Sequence, residues 1–318
     1  MNEWFADILV MFVQLIVMLL LAPFVSGFIS KFKARLQSRR GAPITQRYSD
    51  VLKLFKKGVA VSEHTSWIFR ATPYIVFGST VSVALLVPTV FWRVPFDWAG
   101  DAITVIYLFA LSRFFLGLVG LDAGSAFGGL GSSREMSIAS IIEPAMMLGI
   151  FAAAVTAGST NLSVIVSSLN TTTASMFHPS HILAFAGLFI AAIAETGRIP
   201  VDNPTTHLEL TMIHEAMVLE YSGRYLALIE WASQMKLLIF LAILANVFFP
   251  FGIATGLAPM QVVVGIVVFL GKVAVLAGAI AFLESANAKL RLFRVPDLLM
   301  VAFTLSLLSL ILYFLIGS

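Results

Sequence analysis

Eight stretches of the chain stay apolar long enough to cross a bilayer, at about 4–29, 68–92, 101–121, 136–158, 180–195, 225–249, 262–283 and 299–316. A span needs about 20 mostly apolar residues, and the fifth stretch is the shortest. The runs are continuous rather than alternating. In lipid, that pattern means helices that pair every backbone N–H and C=O internally, and not the strands of a barrel. Between the first two runs, "QRYSDVLKLFKK" sets Tyr48, Val51, Leu52 and Phe55 at i, i+3, i+4 and i+7. That spacing predicts an amphipathic helix lying on the membrane surface. The glycine-rich "DAGSAFGGLGSSREM" (122–136) predicts a flexible connector with room for close helix packing. It lacks the Lys-Ser/Thr ending of a phosphate loop, and no strand precedes it. Residues 159–179 are polar and predict a loop with at most one short surface helix.

No segment is long enough for a separate soluble domain, and no internal repeat is evident. The expected architecture is therefore all-α: a single integral membrane domain over 1–318. It has about eight transmembrane helices and an amphipathic surface helix in the first cytoplasmic loop. The first run is too long for a cleaved secretory signal and leads into a basic loop without a small-residue cleavage site.

Composition sharpens this picture. Hydrophobic residues make up 59% and charged residues 12%, with a mean hydropathy of +0.96, against about 25% charged in soluble domains. There is no cysteine, so the chain can hold no iron–sulfur cluster or zinc–thiolate site of its own. Nine basic residues crowd 30–63, Arg35, Arg39, Arg40, Arg47, Lys53 and Lys56 among them. Arg134, Arg198, Arg224, Lys289, Arg291 and Arg294 fall in the other connections on that side, and only Arg93 on the opposite one. By the positive-inside rule the basic face is cytoplasmic and both termini are outside. Topology accounts for most of the net charge of +3, which calls for no nucleic-acid partner.

Charged residues inside the spans cost about 2.5–3.5 kcal/mol each on insertion scales and usually face the bundle interior. Here they are Arg113, Glu143, Lys236 and Lys272, with Asp122, Glu135, Glu230 and Glu284 near span ends. Glu143 can pair with a cation and merely fix packing, or it can carry protons, its affinity set by desolvation against neighbouring cations. A second concentration lies in "AETGRIPVDNPTTHLELTMIHEAMVLEYSG" (194–223), with Glu195, Asp202, Glu209, Glu215 and Glu220, two histidines and Arg198. Thr206-x-x-Glu209 also fits a helix capping box. His207, His214 and Glu215 do not match the zinc-protease spacing, and no metal is expected. A carboxylate-lined cytoplasmic loop dipping between helices is the expected arrangement.

That segment resembles the loop between the fifth and sixth helices of the respiratory complex I membrane subunit that forms the quinone-binding heel. The family pattern E-x-x-R-x-P-x-D-x-P, then acids, then E-Y-S-G, is met by Glu195, Arg198, Pro200, Asp202, Pro204, Glu209 and Glu220-Tyr221-Ser222-Gly223. Arg39, "GAP" and "LKLFKK" in the first loop fit as well, and "SREMSIASIIEP" puts Glu143 at the family's intramembrane glutamate. Two departures narrow the likeness. Quinone-reducing members carry E-A-E-S-E where this chain has Thr205-Thr206-His207-Leu208-Glu209. They also read toward P-R-x-R-Y-D-Q after the seventh helix, where "AKLRLFRVPDLL" stands here. In both places the chain is similar to the membrane anchor subunits of group 4 membrane-bound [NiFe] hydrogenases, of the formate hydrogenlyase and hydrogenase-4 type.

The resemblance implies a non-catalytic subunit of an oxidoreductase complex in a prokaryotic cytoplasmic membrane. It would carry no cofactor, the [NiFe] centre and iron–sulfur clusters belonging to a large and a small hydrogenase subunit. Those subunits would dock on the basic face through Arg35, Arg39, Arg40, Arg47, Lys53 and Lys56. Glu195, Asp202, Glu209, Glu215 and Glu220 would take up protons and pass them through Glu143 to antiporter-like neighbours. Arg113, Arg198, Lys236 and Lys272 would tune those acids. The competing readings are a quinone-binding complex I subunit, a stand-alone ion transporter and a purely structural anchor.

Overall fold

The computed structural model describes residues 3–91, 99–171, 178–202, 212–254 and 259–316. Among them are eight helices in the positions expected of membrane spans and three shorter ones. The long helices are α1 (Glu3–Leu36), α3 (Trp67–Leu86), α4 (Ala102–Asp122), α5 (Ala126–Ala157), α7 (Pro179–Glu195), α9 (Gly223–Phe248), α10 (Pro259–Ala286) and α11 (Val295–Ile316). The short ones are α2 (Gln46–Lys56), α6 (Leu162–Thr171) and α8 (His214–Val218). Seven of the long helices meet the length and hydropathy of a membrane span, and α7 is the short apolar eighth. The protein is a multi-pass, all-helical membrane protein.

Helix α9 is the axis of the bundle: every residue from Leu237 to Phe248 is buried. A helix hydrophobic all round can be placed only where neighbours surround it. Here α1, α3, α7 and α10 supply them, while α4, α5, α7 and α11 pack together alongside. The amphipathic α2 lies across α1 and α9, with Val51 buried and Phe55 edge-on to Trp231 at 6.2 Å between ring centroids. Its Leu52 remains exposed, as suits a helix resting in the membrane interface.

The glycine-rich stretch departs from expectation. It is no flexible connector: helix begins at Ala126, after an N-cap in which the Ser125 hydroxyl accepts from the Gly128 N–H. The expected room for close packing is present at Gly128 and Gly131. A methyl group on Gly131 would meet Ala216 Cβ at 2.9 Å and the Ile213 carbonyl at 3.0 Å. Without side chains there, α8 nests against the first turns of α5. Helix α1 also runs past the expected end at 29, to Leu36. Its last two turns carry Lys31, Lys33 and Arg35 beyond the apolar run into the basic loop.

At the end of α9 away from the basic loops, buried polar groups close helix termini whose last carbonyls have no intrahelical partner. Gln14 donates to the Ala84 and Val87 carbonyls at the end of α3. Asn246 donates to the Pro88 and Thr89 carbonyls, and its own oxygen accepts from Lys272 Nζ at 2.9 Å. Lys272 also donates to the Phe249 and Phe251 carbonyls, at 2.8 and 3.1 Å. His181 Nε2 lies 3.1 Å from the Phe248 carbonyl. Each is a local answer to unpaired backbone in a medium that offers no water.

At the other end, the Glu220-Tyr221-Ser222-Gly223 run joins the first loop to the start of α9. Tyr221 stacks on Phe69 at 4.2 Å and donates its hydroxyl to the Phe69 carbonyl at 2.8 Å. Burial holds the Tyr221 phenol protonated well above its usual range. The Ser222 hydroxyl accepts from the Ala60 N–H at 2.9 Å. Gly223 sits at φ +55°, where an added Cβ would meet the Gly58 carbonyl and lie 2.7 Å from that of Lys57. Gly223→Ala is therefore expected to destabilise the protein by about 1–3 kcal/mol, read as a lower unfolding temperature of the purified protein. An unchanged unfolding temperature would show that the first loop does not depend on this seam.

Candidate functional site

The described part of the acidic segment, with α1, α9 and α10, encloses a cavity of about 760 Å³ on the face bearing the basic loops. Four cations line it, Lys33, Arg39, Arg47 and Arg198, against four carboxylates, Asp202, Glu215, Glu230 and Glu284. Among the described residues its apolar side chains are Ala34, Ile199 and Leu237. Ligand pockets for apolar molecules are lined mostly by hydrophobic and aromatic groups; this one has the opposite character.

Two ion-pair assemblies hold the walls. Glu284, on α10, accepts from Lys33 at 2.9 Å and Arg198 at 2.7 Å, tying the end of α1 to the segment after α7. Asp202, buried, pairs with Lys289 at 2.6 Å, and its second oxygen accepts from the Ile213 and His214 N–H groups, both at 3.2 Å. Asp202 thereby fixes where α8 begins and where His214 points into the cavity wall. Glu215 follows on α8. Burial chiefly, then the charge of Glu230 and more weakly that of Asp202, hold its proton to higher pH than an ordinary carboxyl; His214 and Arg47 pull the other way.

Three of the cavity's lining residues, Thr196, His214 and Ser233, also line a second, smaller void of about 20 Å³. On the far side of that void are Glu195 and Lys236. Glu195, at the end of α7 and buried, receives Lys236 Nζ at 2.5 Å and Arg113 Nη2 on its other oxygen. Arg113, buried in α4, also donates to Glu143 on α5 at 2.5 Å and lies 3.7 Å from Glu135 through Nε. One guanidinium thus faces three carboxylates from two helices, and four helices are tied at one point. Arginine stays charged throughout, and it is the acids that can gain and lose a proton. The Glu143 side chain is 38% exposed on the outer surface of the chain, while Arg113 is only 3% exposed. The cluster reaches from the cavity's inner wall to the bundle's flank.

Other sequence-predicted residues lie elsewhere. Lys272 serves carbonyls beyond the far end of α9, remote from the cavity. Glu220 is exposed on the basic-loop face beside the Tyr221 seam. Glu209 and His207 lie outside the described residues. Arg35, Arg40, Lys53 and Lys56 are exposed on the basic face; Arg39 is exposed too, but it and Arg47 also border the cavity. Sequence analysis passed over Glu284, Glu230 and Glu135 as site residues, although each was visible as an acid near a span end. It also passed over Thr196 and Ser233, for which a hydroxyl beside a buried charge leaves no signal in one dimension. Among the described residues no cluster of three histidine, aspartate or glutamate side chains could hold a metal.

Against this geometry stand the relatives. The family model described as NADH dehydrogenase matches residues 8–314. Formate hydrogenlyase subunit 4 of Escherichia coli (strain K12) is 33% identical over 297 residues, covering 93% of this chain and 95% of the relative. Hydrogenase-4 component C of the same organism is 33% identical over 296 residues, covering 93% and 92%. NADH-quinone oxidoreductase subunit 8 of Rhodothermus marinus is 28% identical over 233 residues, covering 71% and 66%. In solved structures, a chain of the archaeal membrane-bound sulfane sulfur reductase superposes with a TM-score of 0.81 at 20% identity, covering 95% of this chain and 98% of that one. At that identity the likeness is one of fold.

Two outcomes follow from the charge arrangement. Arg113→Ala strands Glu195 and Glu143 in an apolar bundle, and removing one partner of a buried ion pair costs about 3–5 kcal/mol. The purified variant should unfold at clearly lower temperature; a change within error would mean that Lys236 alone satisfies the cluster. For Glu215, a raised pKa means stability present at acid pH and lost as pH rises through that value. Glu215→Gln should therefore melt like wild type below the ordinary carboxylate range and at higher temperature than wild type near neutrality. A difference that does not grow with pH would refute the assignment.

Proposed function

The chain belongs to the NADH dehydrogenase family, and we propose that within it this protein is the membrane-anchoring, proton-coupling subunit of a membrane-bound [NiFe] hydrogenase complex. The observation that carries the reading is the continuous set of ionisable groups from the charged cavity, past Glu195 and Lys236, to Arg113 and Glu143. The identity to formate hydrogenlyase subunit 4 and hydrogenase-4 component C over nearly their whole length supports the hydrogenase assignment. The [NiFe] centre and the iron–sulfur clusters belong to large and small partner subunits. Those partners dock on the cytoplasmic basic face, over Arg35, Arg39, Arg40, Arg47, Lys53 and Lys56. The membrane is the prokaryotic cytoplasmic membrane, with both termini outside.

The cavity is poorly suited to a quinone. A quinone ring and its isoprenoid tail call for a hydrophobic slot, whereas eight charged side chains line this one. No step of the mechanism is therefore routed through a quinone. A charged cavity is instead a place where water and protons gather against a gradient of fixed charge. A change of redox state in the docked arm alters the field at the cavity mouth. The acids below respond by taking or releasing protons, since an opposite or like charge within a few ångströms shifts a carboxyl's affinity. Glu195 sits between two cations, so its protonation loosens both Lys236 and Arg113. Arg113 then shifts its weight to Glu143, and the partly exposed Glu143 hands the charge change to an antiporter-like neighbour packed on α5. The energy at stake is about 2.3 kcal/mol per charge moved across 100 mV.

Glu143→Gln keeps shape and removes the titrating proton. The assembled complex carrying it should evolve hydrogen from an artificial electron donor at the wild-type rate while building little or no ion gradient in proteoliposomes. An undiminished gradient would sink the coupling role and leave an anchor.

A further inference from the structure

Among the described residues, three line both the cavity and the small void beside the Arg113 cluster. Thr196, His214 and Ser233 face the 760 Å³ cavity on one side and the 20 Å³ void on the other. From this juxtaposition we infer that His214 is the proton relay into the membrane cluster, passing protons from the cavity acids to Glu195 through one water in the void, a conclusion that rests on the proton-coupling reading above.

The void has room for one water molecule, which needs about 10–15 Å³ and two to four polar partners. Glu195, Lys236, His214, Thr196, Ser233 and Ser112 border it. A hydrated cation does not fit, but a proton passed along hydrogen bonds does. Thr196 donates its hydroxyl proton to the Ala192 carbonyl at 2.7 Å, so towards the void its oxygen acts as an acceptor. Imidazole, with two ring nitrogens, is the one side chain in this wall that can take a proton at one atom and release it at another. Its place is fixed from behind. The backbone N–H of His214 donates to Asp202 Oδ2 at 3.2 Å, which anchors the main chain that carries the ring. Glu215, next in sequence, is electrostatically coupled to His214 and lines the same cavity.

The transfer balances without any other reactant. An imidazolium N–H bond breaks as its proton passes to the water oxygen. One water O–H bond breaks as its proton passes to a Glu195 oxygen. His214 is left neutral, Glu195 neutral and the water unchanged. A proton from Glu215 or from cavity water then restores the imidazolium.

The test uses the assembled complex in proteoliposomes, with proton uptake measured per hydrogen evolved from an artificial donor. His214→Ala should leave hydrogen evolution intact and lower the coupled uptake by roughly 100-fold, the scale of a lost proton-transfer group. Added imidazole, which can reach the position through the open cavity, should restore it. A loss of packing would not be rescued in this way, so an unrescued loss overturns the relay, as does full uptake without imidazole. If His214→Ala does not assemble, Thr196→Val with Ser233→Ala carries the test: narrowed uptake supports the relay and wild-type uptake refutes it. Glu143→Gln, measured in parallel, separates the two levels. Uptake lost there but kept in His214→Ala refutes only the relay, and uptake kept in both refutes the coupling function itself.

Discussion

The structure hangs on one electrostatic obligation: a guanidinium buried inside a lipid-facing bundle must be neutralised where it stands. Arg113 meets it with Glu195 and Glu143 as direct partners and Glu135 farther off, and Glu195 is shared with Lys236. Replacing such a network by well-packed apolar residues is often neutral or stabilising, so stability alone does not explain its presence. The arrangement is also unbalanced, with three carboxylates to two cations. That imbalance leaves the network with one more acid than it has cations to pair them.

Much of the fold was legible because bilayer physics writes directly into sequence. All eight spans fall where hydropathy placed them, and the amphipathic pattern from Tyr48 to Phe55 lies on α2. What hydropathy could not see was helix that continues beyond the oil. Helix α1 runs to Leu36 and α5 starts at Ala126, because a helix ends where its caps and contacts end and not where its apolar run does. The glycines of 122–136 read as slack in one dimension. In three dimensions Gly131 is clearance for α8, a neighbour far along the chain, and Gly128 for Gly120 on α4.

The site divides in the same way. Arg113, Glu143, Glu195 and Lys236 could be recognised as misplaced charges in spans, and the structure brings these four together. Lys272 carried an identical signal and answers a different need, binding carbonyls left unpaired beyond the end of α9. A lone charge in an apolar run says that something must satisfy it, and only the fold says whether that partner is an acid or the backbone. The carboxylates of the acidic segment differ among themselves as well. Asp202 is spent on Lys289 and on two N–H groups at the start of α8, Glu215 keeps a raised proton affinity inside the cavity, and Glu220 faces outward beside a packing seam. Equal charge in one segment concealed three separate employments.

The two ends of the bundle therefore solve the same problem by different means. Away from the basic loops, buried polar side chains among the described residues are consumed by carbonyls, and Lys272 donates to three oxygens there. On the basic face, ion pairs line a cavity whose described walls set four cations against four acids. Glu143 is the one member of the cluster with a substantially exposed side chain, and its ion pair with Arg113 at 2.5 Å offsets part of the cost, about 2.5–3.5 kcal/mol, of a charge placed within a membrane span.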